Sequence, residues 1–121
     1  MPHSGHLATT FVVTDRSGNA EAVDVTDTFW QDLDVRYGDF AGRTLISSFE
    51  FSEAWPTWEM HPAGDELVCL LEGEVELILA ESDADHSHTL DAPGQFVVIP
   101  RGVWHTARPI RPTKMLFVTP G

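Results

Sequence analysis

The chain has 121 residues, 42% of them hydrophobic, and sets seven basic against nineteen acidic side chains for a net charge of −12. That length and composition fit one domain with its own core and exclude disorder as the main state. The charge opposes nucleic-acid phosphates and anionic membranes as partners, and no apolar run approaches the roughly 20 residues of a membrane-spanning helix.

In chain order, MPHSGHLATT has neither a basic start nor an apolar stretch, so no signal peptide is read and the cytoplasm is the expected compartment. FVVT (11–14) predicts a strand, DRSGN (15–19) a turn, and AVDV (22–25) a second strand. TDTFWQDL (26–33) is the one helical segment, with Thr28 and Gln31 at capping-box spacing and Phe29 and Leu33 one turn apart. YGDFAG (37–42) is loop. RTLISSFEF (43–51) alternates, with Leu45, Phe49 and Phe51 in one phase. TWEMH (57–61) predicts a strand after Pro56, and PAGDE (62–66) a turn. ELVCLLEG (66–73) and EVELILA (74–80) predict two strands around a tight corner at Gly73. ESDADHS (81–87) is a polar turn, and HTLDAPG, QFVVIP, VWHTARP and KMLFVT complete the series. Nine or so strands with one short N-terminal helix define an all-β domain, closed or double-sheeted to protect its edges.

Two stretches carry chemistry: Glu59-x-His61-x4-Glu66-x6-Gly73, and Gly94-x5-Pro100-x-Gly102-x2-His105. Glu59 and His61 share a strand face, PAGD turns the chain toward Glu66, and the turn after Pro100 delivers His105. Two imidazoles and two carboxylates can then meet inside a barrel. Such a set suits a divalent first-row metal with positions left for water and substrate. Two carboxylates harden the site and favour Mn²⁺ or Fe²⁺, with Ni²⁺, Co²⁺ or Zn²⁺ as further candidates. An unpaired Glu59 inside a barrel would be costly, which argues for coordination; hydrogen-bonding a ligand from behind and acting as general base are its other candidate roles.

Both stretches resemble the two motifs of the cupin superfamily, G-x5-H-x-H-x3or4-E-x6-G and G-x5-P-x-G-x2-H-x3-N. His61, Glu66 and Gly73 match the first, and Gly94, Pro100, Gly102 and His105 the second. Glu59 stands where the first histidine is usual, Glu53 replaces the leading glycine, and Pro109 the final asparagine. The resemblance covers about residues 40 to 119. It implies a double-stranded β-helix, the cupin jelly-roll barrel, over that span, with the N-terminal strands and helix (10–39) completing a single domain over 1–121. It also implies a metal held by the motif residues His61, Glu66 and His105; Glu59, a departure from the motif, reads from its own chemistry as fourth ligand or catalytic proton acceptor. Dioxygenase, isomerase and decarboxylase are the reaction classes it supplies, acting on a small polar molecule. The alternative is a non-catalytic small-molecule-binding or sensor cupin. Pairing as a homodimer is a further implication, for which the second face of ELVCLL (Leu67, Cys69, Leu71) is suited; plain sheet-on-sheet packing suits it too.

Other residues read as structural. His86 and His88 lie in a solvated turn, and His3 and His6 near a fraying terminus. Trp58 and Trp104 point away from Glu59 and His105 by strand phase, while Pro56 leaves Trp55 open. Arg43 and Arg101 are surface residues in the first instance, Arg43 with a secondary role in orienting substrate. Cys69 reads as a buried, inert thiol. No Ser-His-Asp or Cys-His arrangement and no phosphate loop is present.

Overall fold

The structure is a computed structural model that describes residues 3–121. Among them are seven strands and one helix: β1 (Thr10–Thr14), β2 (Ala20–Asp24), α1 (Phe29–Tyr37), β3 (Thr44–Phe51), β4 (Glu66–Ala80), β5 (Asp85–Leu90), β6 (Phe96–Ile99) and β7 (Trp104–Pro120). The strands pair antiparallel in the order β2-β1-β3-β7-β4-β5, with β6 on the other half of β4. The all-β expectation and the single short helix both hold.

The strand count falls short of nine because two expected breaks are bends. β4 runs through Gly73 without a corner, and β7 through residues 110–112. Leu67 to Leu70 pair with the second half of β7, and Val75 to Ala80 with its first half, with register shifts in between. Across those shifts the buried phase of β4 flips from Glu66, Val68 and Leu70 to Val75, Leu77 and Leu79. A bulge bends a paired strand without ending it, so the sheet folds over itself. Both halves of β4 then line one core with Leu90, Ile99, Ala107, Met115 and Phe117. Gly73 serves that bend in a specific way. Its φ is 97°, and a Cβ there would stand 2.2 Å from the Pro112 carbonyl oxygen. The glycine is required by close approach of two strands, not by a hairpin.

TWEMH is not a strand. Only Glu59 makes a bridge, opposite His105. Pro56 and Pro62 lack the N–H groups a continuous ladder needs. The segment still follows β7: the Trp55 N–H donates to the Ala107 carbonyl at 3.0 Å, and the Gly102 N–H to the His61 carbonyl at 3.0 Å.

The helix also departs from expectation, running on to Tyr37. Thr28 makes no capping hydrogen bond to the backbone; its hydroxyl donates instead to Asp32 at 3.1 Å. The last turn is held from outside, by Arg36 on Glu21 at 2.6 Å and by Tyr37 packing on a second core. That core joins Phe11, Val13, Val23, Phe29, Leu33 and Leu45, tying the N-terminal hairpin and helix to β3. Gly38, with φ 68°, ends the helix.

Candidate metal site

Three features deliver the donors. Glu66 opens β4 on the inward phase of Val68 and Leu70 and is 3% exposed. The turn after β6 is closed by the Val103 N–H donating to the Pro100 carbonyl, with Gly102 at φ 79°, a conformation that favours glycine. Asp65 accepts the Arg101 N–H at 2.8 Å, locking that turn beside Glu66. Two residues on, His105 enters β7 fully buried. The segment before β4 brings in His61, half-buried, through its carbonyl bond to Gly102.

The result is a convergent trio. One donor atom from each of His61, Glu66 and His105 lies within 4.8 Å of the others. His61 Nε2 is 3.3 Å from Glu66 Oε2, and His105 Nε2 is 3.2 Å from Glu66 Oε1. The Thr119 hydroxyl donates to Glu66 Oε2 at 2.5 Å. His105 Nδ1 lies 3.1 Å from the Val103 carbonyl, which can only accept, so Nδ1 carries the proton. In the neutral ring that leaves the lone pair on Nε2. Despite its closeness to Glu66, Nε2 is not aligned for a hydrogen bond and stands buried without a partner. Buried polar atoms are seldom left so. A cation between the three donors would satisfy it, and the donor set suits one: two imidazole nitrogens and a carboxylate, with a carbonyl orienting the ring from behind.

Without an ion, the same contacts set how Glu66 and His105 titrate, and a cation competes with the proton for His105. Burial pushes the Glu66 carboxyl up, but contacts with His105, His61 and the Thr119 hydroxyl outweigh it and hold the group at about 2. Burial lowers His105, yet the neighbouring Glu66 carboxylate, the Val103 carbonyl and the charge of Glu59 leave it raised overall.

Glu59 lies beside the trio rather than in it. Its N–H donates to the His105 carbonyl at 2.8 Å and its carbonyl accepts from the His105 N–H at 2.8 Å. Directly opposed residues on antiparallel backbone project to the same side. Glu59 is nevertheless exposed, so the burial cost expected of it from the sequence does not arise.

Glu59, His61 and Glu66 line one end of a cavity of about 860 Å³ whose wall is mostly apolar. Trp55, undecided from sequence, belongs to that wall, its ring 6.5 Å from His105. Trp58 and Trp104 are exposed, as their phase predicts. Arg43 stacks over Tyr37 at 4.6 Å and does not line this cavity, and Arg101 is exposed. His86 and His88 are exposed but sit on β5 rather than in a turn; His86 lies 3.1 Å from Asp83. Cys69 is half-buried, not buried. Sequence reasoning missed Ser47 and Thr119. Each is a small hydroxyl on an inward strand phase, in step with Leu45 and with Met115 and Phe117, and that phase was the available signal.

Comparison with solved structures supplies the class. A cupin-2 domain containing protein from Shewanella frigidimarina superposes with TM-score 0.54 at 24% identity, over 64% of this chain and 71% of that one. An oxalate oxidase matches with TM-score 0.56 at 21% identity, over 64% and 44%. Hydroxypropylphosphonic acid epoxidase from S. wedmorenis matches with TM-score 0.53 at 17% identity, over 63% and 43%. The chain thus spans less than half the length of either enzyme. No protein-family model matches the chain, and no curated protein matches it in sequence. At these identities the likeness concerns the fold, and the fold is the cupin jelly roll. The chain thus has the cupin fold, and within it a two-histidine, one-carboxylate trio that could hold a metal ion.

Proposed function

We infer that the chain is a metal-dependent enzyme in which His61, Glu66 and His105 hold a divalent ion, Mn²⁺ or Fe²⁺ before Ni²⁺, Co²⁺ or Zn²⁺. The observation that carries this is the partnerless Nε2 of buried His105, facing the two other donors. A bound ion would supply Lewis-acid or redox chemistry to a substrate in its open positions. The protein's own groups divide the remaining work. Val103 and Thr119 orient His105 and Glu66. Glu59, exposed on the cavity wall and opposite His105, is placed to take a proton from bound substrate, and coordination is its other role. The cavity opening beside the donors favours dioxygenase, isomerase or decarboxylase chemistry over a sensor without turnover.

The same reading treats 1–121 as one cupin domain, acting in the cytoplasm on a small molecule and not on nucleic acid. Pairing as a homodimer belongs to it: Leu71, Phe96 and Val98 are exposed at 39%, 61% and 51% on neighbouring strands. Sedimentation velocity at micromolar concentration, repeated with Phe96→Glu and Val98→Lys, tests this pairing; a monomeric parent refutes it. Metal binding is tested by titrating metal-stripped protein with Mn²⁺ and Fe²⁺. One site is expected in the parent, lost in His105→Ala and in Glu66→Ala.

A further inference from the structure

Beyond the donors, the cavity has a one-sided chemistry. From His105 outward, aromatic rings follow one another: Trp55 at 6.5 Å from the imidazole, Phe117 at 6.0 Å from Trp55, and Phe49 at 5.7 Å from Phe117. Phe51 flanks Trp55 at 5.6 Å. Phe49 is 42% exposed, so this wall reaches solvent. No arginine or lysine lines the cavity among the described residues, whereas Asp34, Glu50 and Glu59 join Glu66 there. An ion of charge 2+ facing Glu66 and Glu59 leaves little positive charge over; Lys114 lies 3.0 Å from Glu50 and is already paired there, which leaves Asp34 and Glu59 as the uncompensated acids of the wall.

We propose that the site takes an amphipathic ligand, with an oxygen-bearing head at the donor end and an aromatic or branched apolar body of neutral or positive charge along the Trp55–Phe117–Phe49 wall. Small dianions are disfavoured. This rests on the metal reading for the head group and on the wall alone for the body. It replaces the expectation of a small polar substrate: rings in offset or edge contact give an apolar body its affinity, and a carboxylate tail would meet the acids of the rim.

Calorimetric titration of zinc-loaded protein under nitrogen, with four probes, tests it: 4-ethylcatechol, dopamine, protocatechuate and oxalate. They offer a neutral, a cationic and an anionic body, and no body. The expected order places 4-ethylcatechol and dopamine at least tenfold tighter than protocatechuate, with oxalate weakest. Phe49→Leu, which keeps most of the packing volume, should weaken the first two severalfold and leave oxalate unchanged. Asp34→Lys, a substitution on the helix surface, should narrow the gap between dopamine and protocatechuate. The same titrations on metal-stripped protein separate the two readings. If zinc does not bind, the metal site fails, but the preference for neutral and cationic bodies should persist at lower affinity. Protocatechuate or oxalate binding tightest, or no order among the probes in either form, overturns the proposal.

Discussion

Thr119 and Val103 show how much a donor set depends on atoms that never touch the ion. The Thr119 hydroxyl and the Val103 carbonyl each hold one donor group in place. Removing such support typically costs ten- to a hundredfold in metal affinity. Thr119→Val, which preserves shape, should therefore weaken Mn²⁺ binding about tenfold, read by competition with a chelating dye; unchanged affinity would make Thr119 a packing residue. Titration behaviour follows from the same contacts. Glu66, held down at about 2, contributes stability present above the ordinary carboxylate range and lost as pH falls toward 2. His105, raised, contributes stability present below its ordinary value near 6.5 and lost as pH rises through its folded value. Metal-free protein should therefore be most stable between about pH 4.5 and 6.5, by urea unfolding across pH. Excess metal should move that optimum upward, because the ion requires neutral imidazole. Glu66→Gln should flatten both slopes.

At the scale of elements, the bend shared by β4 and β7 sets where the donors meet, and Gly73 is its tightest point. Gly73→Ala drives a methyl into the Pro112 carbonyl at φ 97°, whereas Gly18→Ala, at φ 85°, meets nothing within 4 Å. Both carry the cost of left-handed backbone, of order 1 kcal/mol. Only the first must also push apart a pair of bonded strands. Urea denaturation should show Gly73→Ala destabilised by more than about 3 kcal/mol, a size reserved for steric or cavity defects, and Gly18→Ala by about 1. Equal losses would mean that the strand approach is not tight. These elements also mark how far the sequence could be read. Period-2 alternation placed β1, β3 and β6 closely, because each buries one face. It split β4 and β7, since a bulge and a corner both appear in sequence as a glycine or proline interrupting the phase. It stopped α1 at Leu33 because what carries the helix to Tyr37 is tertiary: the pull of Glu21 on Arg36 and of a second core on Tyr37.

For the whole molecule, the donors were legible and the cavity was not. His61, Glu66 and His105 stand at spacings that a turn and a hairpin bring together, and the glycines at 73 and 102 have the positive φ their positions imply. The aromatic wall gathers Phe49 and Phe51 from β3, Phe117 from β7 and Trp55 from the loop before β4, residues up to 68 positions apart by their numbers (117 − 49). No local pattern announces such a wall, because it arises only when the sheet folds on itself. Its position beside the trio gives a further outcome. Metal at a thousand times its dissociation constant should stabilise the fold by about 4 kcal/mol. In a domain of this size that raises the melting temperature by more than about 10 °C.

The most direct measurement is the metal content of the purified protein by elemental analysis, beside Glu66→Ala and Glu59→Ala. The account predicts about one equivalent of a divalent first-row metal in the parent and a marked loss in Glu66→Ala. Retention in Glu59→Ala would leave Glu59 as the proton-accepting residue, and loss would make it a ligand. A parent with no metal, even after reconstitution with Mn²⁺, Fe²⁺, Ni²⁺ and Zn²⁺, would contradict the account.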